Sequence, residues 1–91
     1  MDTPTPLGAT YALQPETRIG ADQDNDIIVN DKFVSAQHAR LRWDGVTWWI
    51  EDLGSKNGTY VNQKLCTPYK PSPVPPGATI QVGETAFELV E

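Results

Sequence analysis

DLGSKNGTYVN, residues 52–62, joins two runs in which apolar and polar residues alternate. Asn57-Gly58 is typical of a tight hairpin turn because both residues tolerate a left-handed backbone. The pattern predicts a rigid loop held by a strand on each side, and such a loop favours recognition because it is ordered before a partner arrives. The side chains predicted to point outward are Ser55, Lys56, Asn57 and Thr59. The alternative is a loop that only reverses the chain.

The composition favours one small β domain. A chain of 91 residues is long enough for a single core, and 38% hydrophobic residues with 8 prolines and 7 glycines indicate a compact chain punctuated by loops. The formal charge of −5 argues against a general nucleic-acid or anionic-membrane binder, since those need a dense cationic surface. Any anionic partner must therefore be held by local groups.

The remaining global features concern location and cofactors. Cys66 is the single cysteine and cannot form an internal disulfide, and the N-terminal residues contain no apolar run of signal-peptide length. These features predict a reducing, cytoplasmic setting. No nucleotide-binding glycine loop or metal-ligand cluster stands in the sequence, so we expect no cofactor and no metal. The Thr-Pro-Thr-Pro run predicts a flexible leader over residues 1–8, before a domain over residues 9–91.

Two strands are predicted on the N-terminal side of the loop, one over residues 37–43 and one that follows an Asp44-Gly45 hairpin turn. In each, every second residue is apolar, as in a strand with one buried face. The residues predicted to face the core are Ala39, Leu41 and Trp43 in the first strand and Val46, Trp48 and Ile50 in the second. Trp49 then lies on the outer face of the sheet, where we expect it to cover a neighbour.

Short strands are predicted along the rest of the chain, and no amphipathic helix is predicted. Their ranges are 9–14, 16–20, 26–29, 59–62, 64–66, 79–82 and 85–90. Residues 21–25 are predicted to form an exposed turn. Residues 67–77 hold five prolines and are predicted to be irregular, because proline lacks an amide donor. This pattern predicts an all-β sandwich.

Five parts of the sequence, in this order and at this spacing, resemble the forkhead-associated (FHA) domain family. They are RIG at 18–20, DNDI at 24–27, VSAQHA at 34–39, DLGSKNGTYVN at 52–62, and Gly77 with Phe87. The resemblance covers residues 17–90 and implies an eleven-stranded antiparallel β-sandwich of two twisted sheets. It also implies a domain that binds phosphothreonine peptides through the loops at one end and is not an enzyme.

The resemblance assigns roles to residues in two of the loops. Ser35 matches the family serine that hydrogen-bonds phosphate, and Asn57 matches the asparagine that holds the peptide backbone. A hydroxyl and a carboxamide can both donate to an acceptor without carrying charge. Gly58 and Thr59 complete the motif as supports of the loop, and His38 is expected to brace a neighbouring loop rather than to act in catalysis.

The departures from the family pattern concern phosphate binding. Ala21 follows Gly20 where the family usually has an arginine that grips phosphate, and Ala36 stands where a basic residue is often found. Each missing charge-assisted hydrogen bond is worth about 1.5–3 kcal/mol. Lys32 and Lys56 lie on the loops expected to border the pocket and are candidates for partial compensation, although both also fit solvated loop lysines.

Three functional hypotheses remain open. The first is a monomeric module that binds a phosphothreonine peptide or protein partner, with weakened affinity for phosphate and no binding of nucleic acid or membrane. The second is a phosphate-independent interaction module that uses exposed aromatic residues. Its candidates are Trp49, Tyr60 and Tyr69. The third is a hydrolase that uses Ser35, His38 or Cys66, for which the sequence offers no convincing triad.

Overall fold

The computed structural model describes residues 13–89, which form nine β-strands and no helix. The strands are β1 (Glu16–Gly20), β2 (Ile27–Ile28), β3 (Ala39–Trp43), β4 (Trp48–Asp52), β5 (Thr59–Val61), β6 (Lys64–Leu65), β7 (Ser72–Val74), β8 (Thr79–Val82) and β9 (Thr85–Glu88). The all-β prediction is confirmed. The eleven strands implied by the resemblance are not reached within residues 13–89. The predicted leader lies outside the described residues, as does most of the strand predicted at 9–14.

The strands form two sheets. One has five strands in the order β2-β1-β3-β4-β7, and the other has four in the order β6-β5-β8-β9. All pairs are antiparallel except β1 with β2, which pair in parallel, with Ile19 opposite Ile27. The prediction of wholly antiparallel sheets is therefore wrong at the edge formed by β2. Residues 21–26 bring the chain back to the level of Ile19, so that β2 then runs beside β1 in the same direction.

The core contains apolar side chains contributed by both sheets, as expected for a sandwich. Its largest fully buried members are Ile19, Leu41, Ile50, Val74, Ile80, Val82, Phe87 and Leu89. In β3 and β4 the buried residues follow the alternation of apolar and polar side chains, and Ala39, Leu41 and Ile50 are buried as predicted. Trp48 is half-buried against the core, whereas Trp43 is 37% exposed, so the prediction that Trp43 faces the core is wrong. The two indole rings contact each other, with centroids 5.3 Å apart.

The turn between β3 and β4 lies one residue later than predicted. The Asp44 amide donates to the Thr47 carbonyl, so Gly45 and Val46 form the tip, and Val46 is 82% exposed instead of buried. The Asp44 carboxylate accepts hydrogen bonds from the amides of Val46 and Thr47, and Gly45 is left-handed with φ +99°. This side-chain cap fixes a turn that the alternation of apolar residues does not reveal.

The proline-rich segment is less irregular than predicted. Ser72–Val74 forms the edge strand β7, in which Pro73 lies opposite Trp49 and Val74 is buried. An edge strand tolerates proline because one of its sides needs no amide donor. Pro73 also explains why Trp49 is only partly exposed, since the two residues are neighbours across the sheet.

The stretch at residues 52–62 is not a hairpin, because β4 belongs to the five-stranded sheet and β5 to the four-stranded sheet. Residues 53–58 therefore cross between the sheets. Gly58 is left-handed, with φ +85°, whereas Asn57 is not among the residues with positive φ. The two-residue turn that does use left-handed residues is Asn62-Gln63, with φ of 48° and 69°, between β5 and β6.

Candidate functional site

Three loops meet around Ser35. We call residues 21–26 the first loop, residues 29–38 the serine loop and residues 53–58 the asparagine loop. The first loop pairs with the serine loop through the amides of Ala21 and Asp22, which donate to the carbonyls of Ser35 and Ala36 at 3.0 and 3.2 Å. Position 21, for which the resemblance led us to expect an arginine, therefore lies next to Ser35.

Close contact between these two loops requires glycine at position 20. A Cβ on Gly20 would lie 2.2 Å from the Ala36 carbonyl oxygen and 2.7 Å from Asn25 Nδ2. Asn25 is buried and donates through Nδ2 to the carbonyls of Asp22 and Ala36. The prediction that residues 21–25 form an exposed turn is wrong at Asn25, because its buried side-chain amide adds a further link between the first loop and the serine loop.

His38 joins the serine loop to the asparagine loop. Its imidazole is fully buried, Nδ1 accepts from the Ser35 amide at 3.1 Å, and Nε2 lies 2.8 Å from the Gly58 carbonyl. Because Nδ1 accepts, the proton belongs on Nε2, which donates to Gly58. Both ring nitrogens are therefore engaged with backbone groups, and neither is available as a base for the Ser35 hydroxyl. This geometry argues against the hydrolase hypothesis at this pair.

The carboxylate of Asp52 organises the asparagine loop from inside. Asp52 is buried, and its Oδ2 accepts from the amides of Gly54 and Ser55, both at 3.1 Å. Its Oδ1 accepts from the hydroxyls of Ser55 and Thr59, at 2.5 and 2.7 Å. Ser55 also accepts from the Gly58 amide, so it closes the loop on itself. The prediction that Ser55 and Thr59 point outward is wrong, because both side chains are used to hold the loop.

Ser35 and Asn57 keep hydrogen-bonding capacity for a ligand. Ser35 Oγ accepts from the Lys56 amide at 3.1 Å, and among residues 13–89 its hydroxyl hydrogen has no acceptor. Asn57 is exposed, and its Nδ2 donates to the Phe33 carbonyl at 2.8 Å. Its Oδ1 and second N–H remain open within the same described residues. Each of these side chains is therefore held in place by the other loop: Ser35 by the Lys56 amide of the asparagine loop, and Asn57 by the Phe33 carbonyl of the serine loop.

The charges around these loops are mixed. Lys32 is exposed, with its ammonium 5.2 Å from the centre of the Phe33 ring, and Lys56 is also exposed. The first loop carries exposed carboxylates at Asp22 and Asp24, close to Ala21. Ala21 itself contributes only a methyl group, half-buried against the core. These loops therefore carry two exposed ammonium groups, at Lys32 and Lys56, and an uncharged side chain at position 21.

Asp31 fastens the serine loop to the β8–β9 turn. Its Oδ1 accepts from the Phe33 amide, and its Oδ2 accepts from the Glu84 amide and the Thr85 hydroxyl, at 2.7 and 2.9 Å. These hydrogen bonds favour the ionised form and lower the pKa of Asp31, the Phe33 amide having the largest effect. Sequence reasoning missed this brace, because nothing in the sequence near Asp31 indicates its partners 53 and 54 positions away.

A shallow groove of about 310 Å³ adjoins Asn57. Its walls combine aromatic and polar side chains with the backbone of the β8–β9 turn. The lining residues are Phe33, Asn57, Tyr60, Gln81, Gly83 and Glu84. A peptide held at Asn57 would find both apolar surface and hydrogen-bonding groups here, as ligand sites usually provide.

The other candidate residues lie away from this groove or inside the protein. Trp49 donates its indole N–H to the Asp44 carboxylate at 2.8 Å, beside the β3–β4 turn. Tyr69 contacts the start of the asparagine loop, where its hydroxyl donates to the Leu53 carbonyl. Cys66 is buried, and burial raises the pKa of its thiol, so it is a poor nucleophile.

Two searches of residues 13–89 bear on other functions. No helix in this part of the chain is long and apolar enough to cross a membrane. No group of three or more His, Cys, Asp or Glu side chains in it is arranged to hold a metal ion.

Comparisons with known proteins identify the family to which this fold and these loops correspond. The family model for the FHA domain matches residues 17–83. FhaB, an FHA domain-containing protein of Mycobacterium tuberculosis, is 42% identical over 81 residues, which cover 88% of this chain and 50% of FhaB. The chain thus spans about half the length of this curated relative.

Two solved structures are similar over nearly the whole chain. One comes from a study of phosphothreonine-dependent FHA domain interactions; it has a TM-score of 0.86 and 29% identity, covering 100% of this chain and 97% of that one. The other is Mycobacterium tuberculosis EmbR in complex with a low-affinity phosphopeptide, with a TM-score of 0.90 and 30% identity. That match covers 98% of this chain and 24% of EmbR.

Proposed function

This chain belongs to the FHA domain family, and we propose that it binds a phosphothreonine-containing segment of a protein partner through the serine and asparagine loops. FHA domains are interaction modules, so the function proposed is recognition rather than catalysis. We further propose that the isolated domain acts as a monomer. The observation that carries the proposal is the hydrogen bond from the Lys56 amide to Ser35 Oγ, which holds the two donor loops side by side.

Each donor has a separate task in the proposed complex. The Ser35 hydroxyl donates to a phosphate oxygen, because phosphate oxygens are acceptors and the Lys56 amide, which donates to Ser35 Oγ, leaves the hydroxyl hydrogen free. The Asn57 carboxamide, anchored to the Phe33 carbonyl by one N–H, uses its remaining groups to hold the peptide backbone. Since His38 and Asp52 fix both loops before binding, little conformational entropy is lost when the peptide arrives.

The phosphate is held weakly in this proposal. A phosphothreonine carries about −1.5 to −2 charges at neutral pH, and Ala21 and Ala36 give it no cation. The carboxylates of Asp22 and Asp24 oppose it, while Lys32 and Lys56 are left to compensate as exposed ammonium groups. Exposed ammonium groups are screened by salt, so the phosphate-dependent part of the affinity falls as ionic strength rises.

The proposal is tested by calorimetric titration of matched threonine and phosphothreonine peptides at low and moderate salt. We expect measurable binding of the phosphopeptide, weaker binding of its unphosphorylated twin, and a difference that shrinks with salt. Phosphothreonine binding that Ser35→Ala leaves unchanged would contradict the role of the serine.

A phosphate-independent module is the second candidate. It is favoured by the aromatic surface of Phe33 and Tyr60 in the groove beside Asn57, together with the alanines at positions 21 and 36. Aromatic surface contributes affinity without charge. In this case the two peptides bind equally, and Tyr60→Ala weakens both to the same extent.

A further inference from the structure

Tyr69 has a backbone conformation that is unusual for an aromatic residue. Three non-glycine residues among 13–89 have positive φ, and two of them, Asn62 and Gln63, form the β5–β6 turn that requires it. The third is Tyr69, with φ +61°. The Lys70 amide donates to the Thr67 carbonyl, so Tyr69 is the third residue of a four-residue turn whose second residue is Pro68. Glycine or asparagine is the usual residue at such a position.

The contacts of Tyr69 explain why a tyrosine is held there. Its amide donates to the Asp52 carbonyl at 2.8 Å, and its hydroxyl donates to the Leu53 carbonyl at 3.1 Å. A Cβ on Gly54 would lie 2.4 Å from the tyrosine hydroxyl oxygen, so the side chain lies directly against the Gly54 backbone. Tyr69 is nevertheless 66% exposed, and burial in the core does not account for its conformation.

We propose that Tyr69 is a positioning residue that clamps the start of the asparagine loop from outside, and this proposal rests on the proposed function. Asp52 holds the same loop from inside through the amides of Gly54 and Ser55. The two sets of contacts grip Leu53 and Gly54 from opposite sides, just before the residues that present the binding groups. The hydrogen bonds of Tyr69 to Asp52 and Leu53 thus offset the free-energy cost of its left-handed backbone, and they also order the start of the asparagine loop.

The first test measures the loop without any peptide. Amide hydrogen exchange is followed in wild type, Tyr69→Phe and Tyr69→Gly. Tyr69→Phe removes only the hydroxyl, and Tyr69→Gly removes the side chain but suits the left-handed backbone. We expect protection of the Gly54 and Ser55 amides to fall about two- to tenfold in Tyr69→Phe, the effect of one hydrogen bond. The fall is larger in Tyr69→Gly, while the protected amides of β3 and β4 keep their wild-type rates.

Gln63→Gly is the matched control. It relaxes a left-handed residue of similar φ in an exposed turn that makes none of the Tyr69 contacts. We expect it to leave protection of the asparagine loop unchanged. Equal loop protection in wild type and both Tyr69 variants would overturn the proposal. So would a loss that is equal at every amide of the domain, because that would describe global stability instead of a clamp.

The second test measures phosphothreonine-peptide affinity in the same variants. We expect the Kd to rise about two- to tenfold for Tyr69→Phe and to stay at the wild-type value for Gln63→Gly. A loosened loop with wild-type affinity would refute the positioning role in binding. If wild type binds no phosphopeptide but the Tyr69 variants still loosen the loop, the proposed function fails and the clamp on the loop remains.

Discussion

Placing a cation beside Gly20 is the sharpest test of the proposed phosphate binding. Ala21→Arg places a guanidinium on the residue whose amide donates to the Ser35 carbonyl at 3.0 Å. The side chain would start next to the serine proposed to bind phosphate. Because a guanidinium matches two phosphate oxygens at once, the variant should strengthen binding of a phosphothreonine peptide and leave its unphosphorylated twin unaffected.

The expected gain follows from the groups at that position. Two charge-assisted hydrogen bonds contribute about 3–6 kcal/mol. Ordering the arginine side chain costs about 2 kcal/mol. The difference is about 1–4 kcal/mol, and competition from the carboxylates of Asp22 and Asp24 lowers it further, so we expect a net gain of about 0.5–3 kcal/mol, or roughly twofold to hundredfold tighter binding. Ala21→Lys should gain less, because an ammonium group cannot form the paired contact.

The assay is calorimetric titration of both peptides at two salt concentrations. Gln23→Arg is the matched control, since it adds the same charge to an exposed position of the same loop. Long-range attraction would improve both arginine variants and disappear at high salt. A local pair of hydrogen bonds would improve Ala21→Arg alone and persist.

Wild-type protein that already binds the phosphopeptide tightly, with no gain from Ala21→Arg, would refute this reasoning. Lys32 and Lys56 would then supply enough positive charge, and alanine at position 21 would not be a functional loss.

Three further predictions concern the loops and their supports. Asn57→Ala should weaken peptide binding with little change in Tm, since Asn57 is exposed; calorimetry and thermal unfolding decide, and a large loss of stability with intact binding would make it structural. His38→Ala should lower the free energy of unfolding by about 1–3 kcal/mol in urea titrations, because two buried hydrogen bonds lose a partner; a stable variant with lost binding would contradict this. The lowered pKa of Asp31 stabilises the fold above the unfolded pKa of about 4, and this contribution is lost as pH falls through the folded pKa. Tm measured from about pH 5 to about pH 2 should therefore decline less steeply in Asp31→Asn than in wild type, and parallel curves would argue against that coupling.

The sequence predicted those parts of the fold that depend on local alternation. Ala39, Leu41 and Ile50 are buried because their strands follow a period of two without interruption. Val46 was predicted to be buried but is exposed, because the carboxylate of Asp44 caps the β3–β4 turn and moves its tip by one residue. The strand β7 was not predicted because it contains Pro73. Proline is tolerated in an edge strand, and the sequence does not show which strands lie at an edge of the sheet.

For the candidate site, the sequence indicated which residues to consider but not the contacts that position them. The resemblance singled out Ser35 and Asn57, and the structure brings their loops together through the Lys56 amide. Asn25 lies in one of the matched motifs, but its bond to the Ala36 carbonyl, 11 positions away, is not visible in that motif. Asp31 bonds to residues 53 and 54 positions away, so no local pattern distinguishes it from an ordinary polar loop residue. Tyr69 was noticed only as an exposed aromatic, because a backbone angle is not visible in a residue type.

The crossing of residues 53–58 between the two sheets has a consequence for how this protein tolerates insertions and deletions. Its ends, Asp52 and Thr59, are fixed in different sheets and joined by a buried hydrogen bond, so the distance that the segment spans is set by the sandwich itself. Adding or removing one residue would displace Asn57 without altering either end. The β3–β4 turn has no such constraint, because it joins neighbouring strands and Val46 faces solvent. A peptide tag or a reporter domain therefore belongs at Val46, where extra length leaves residues 53–58 unchanged.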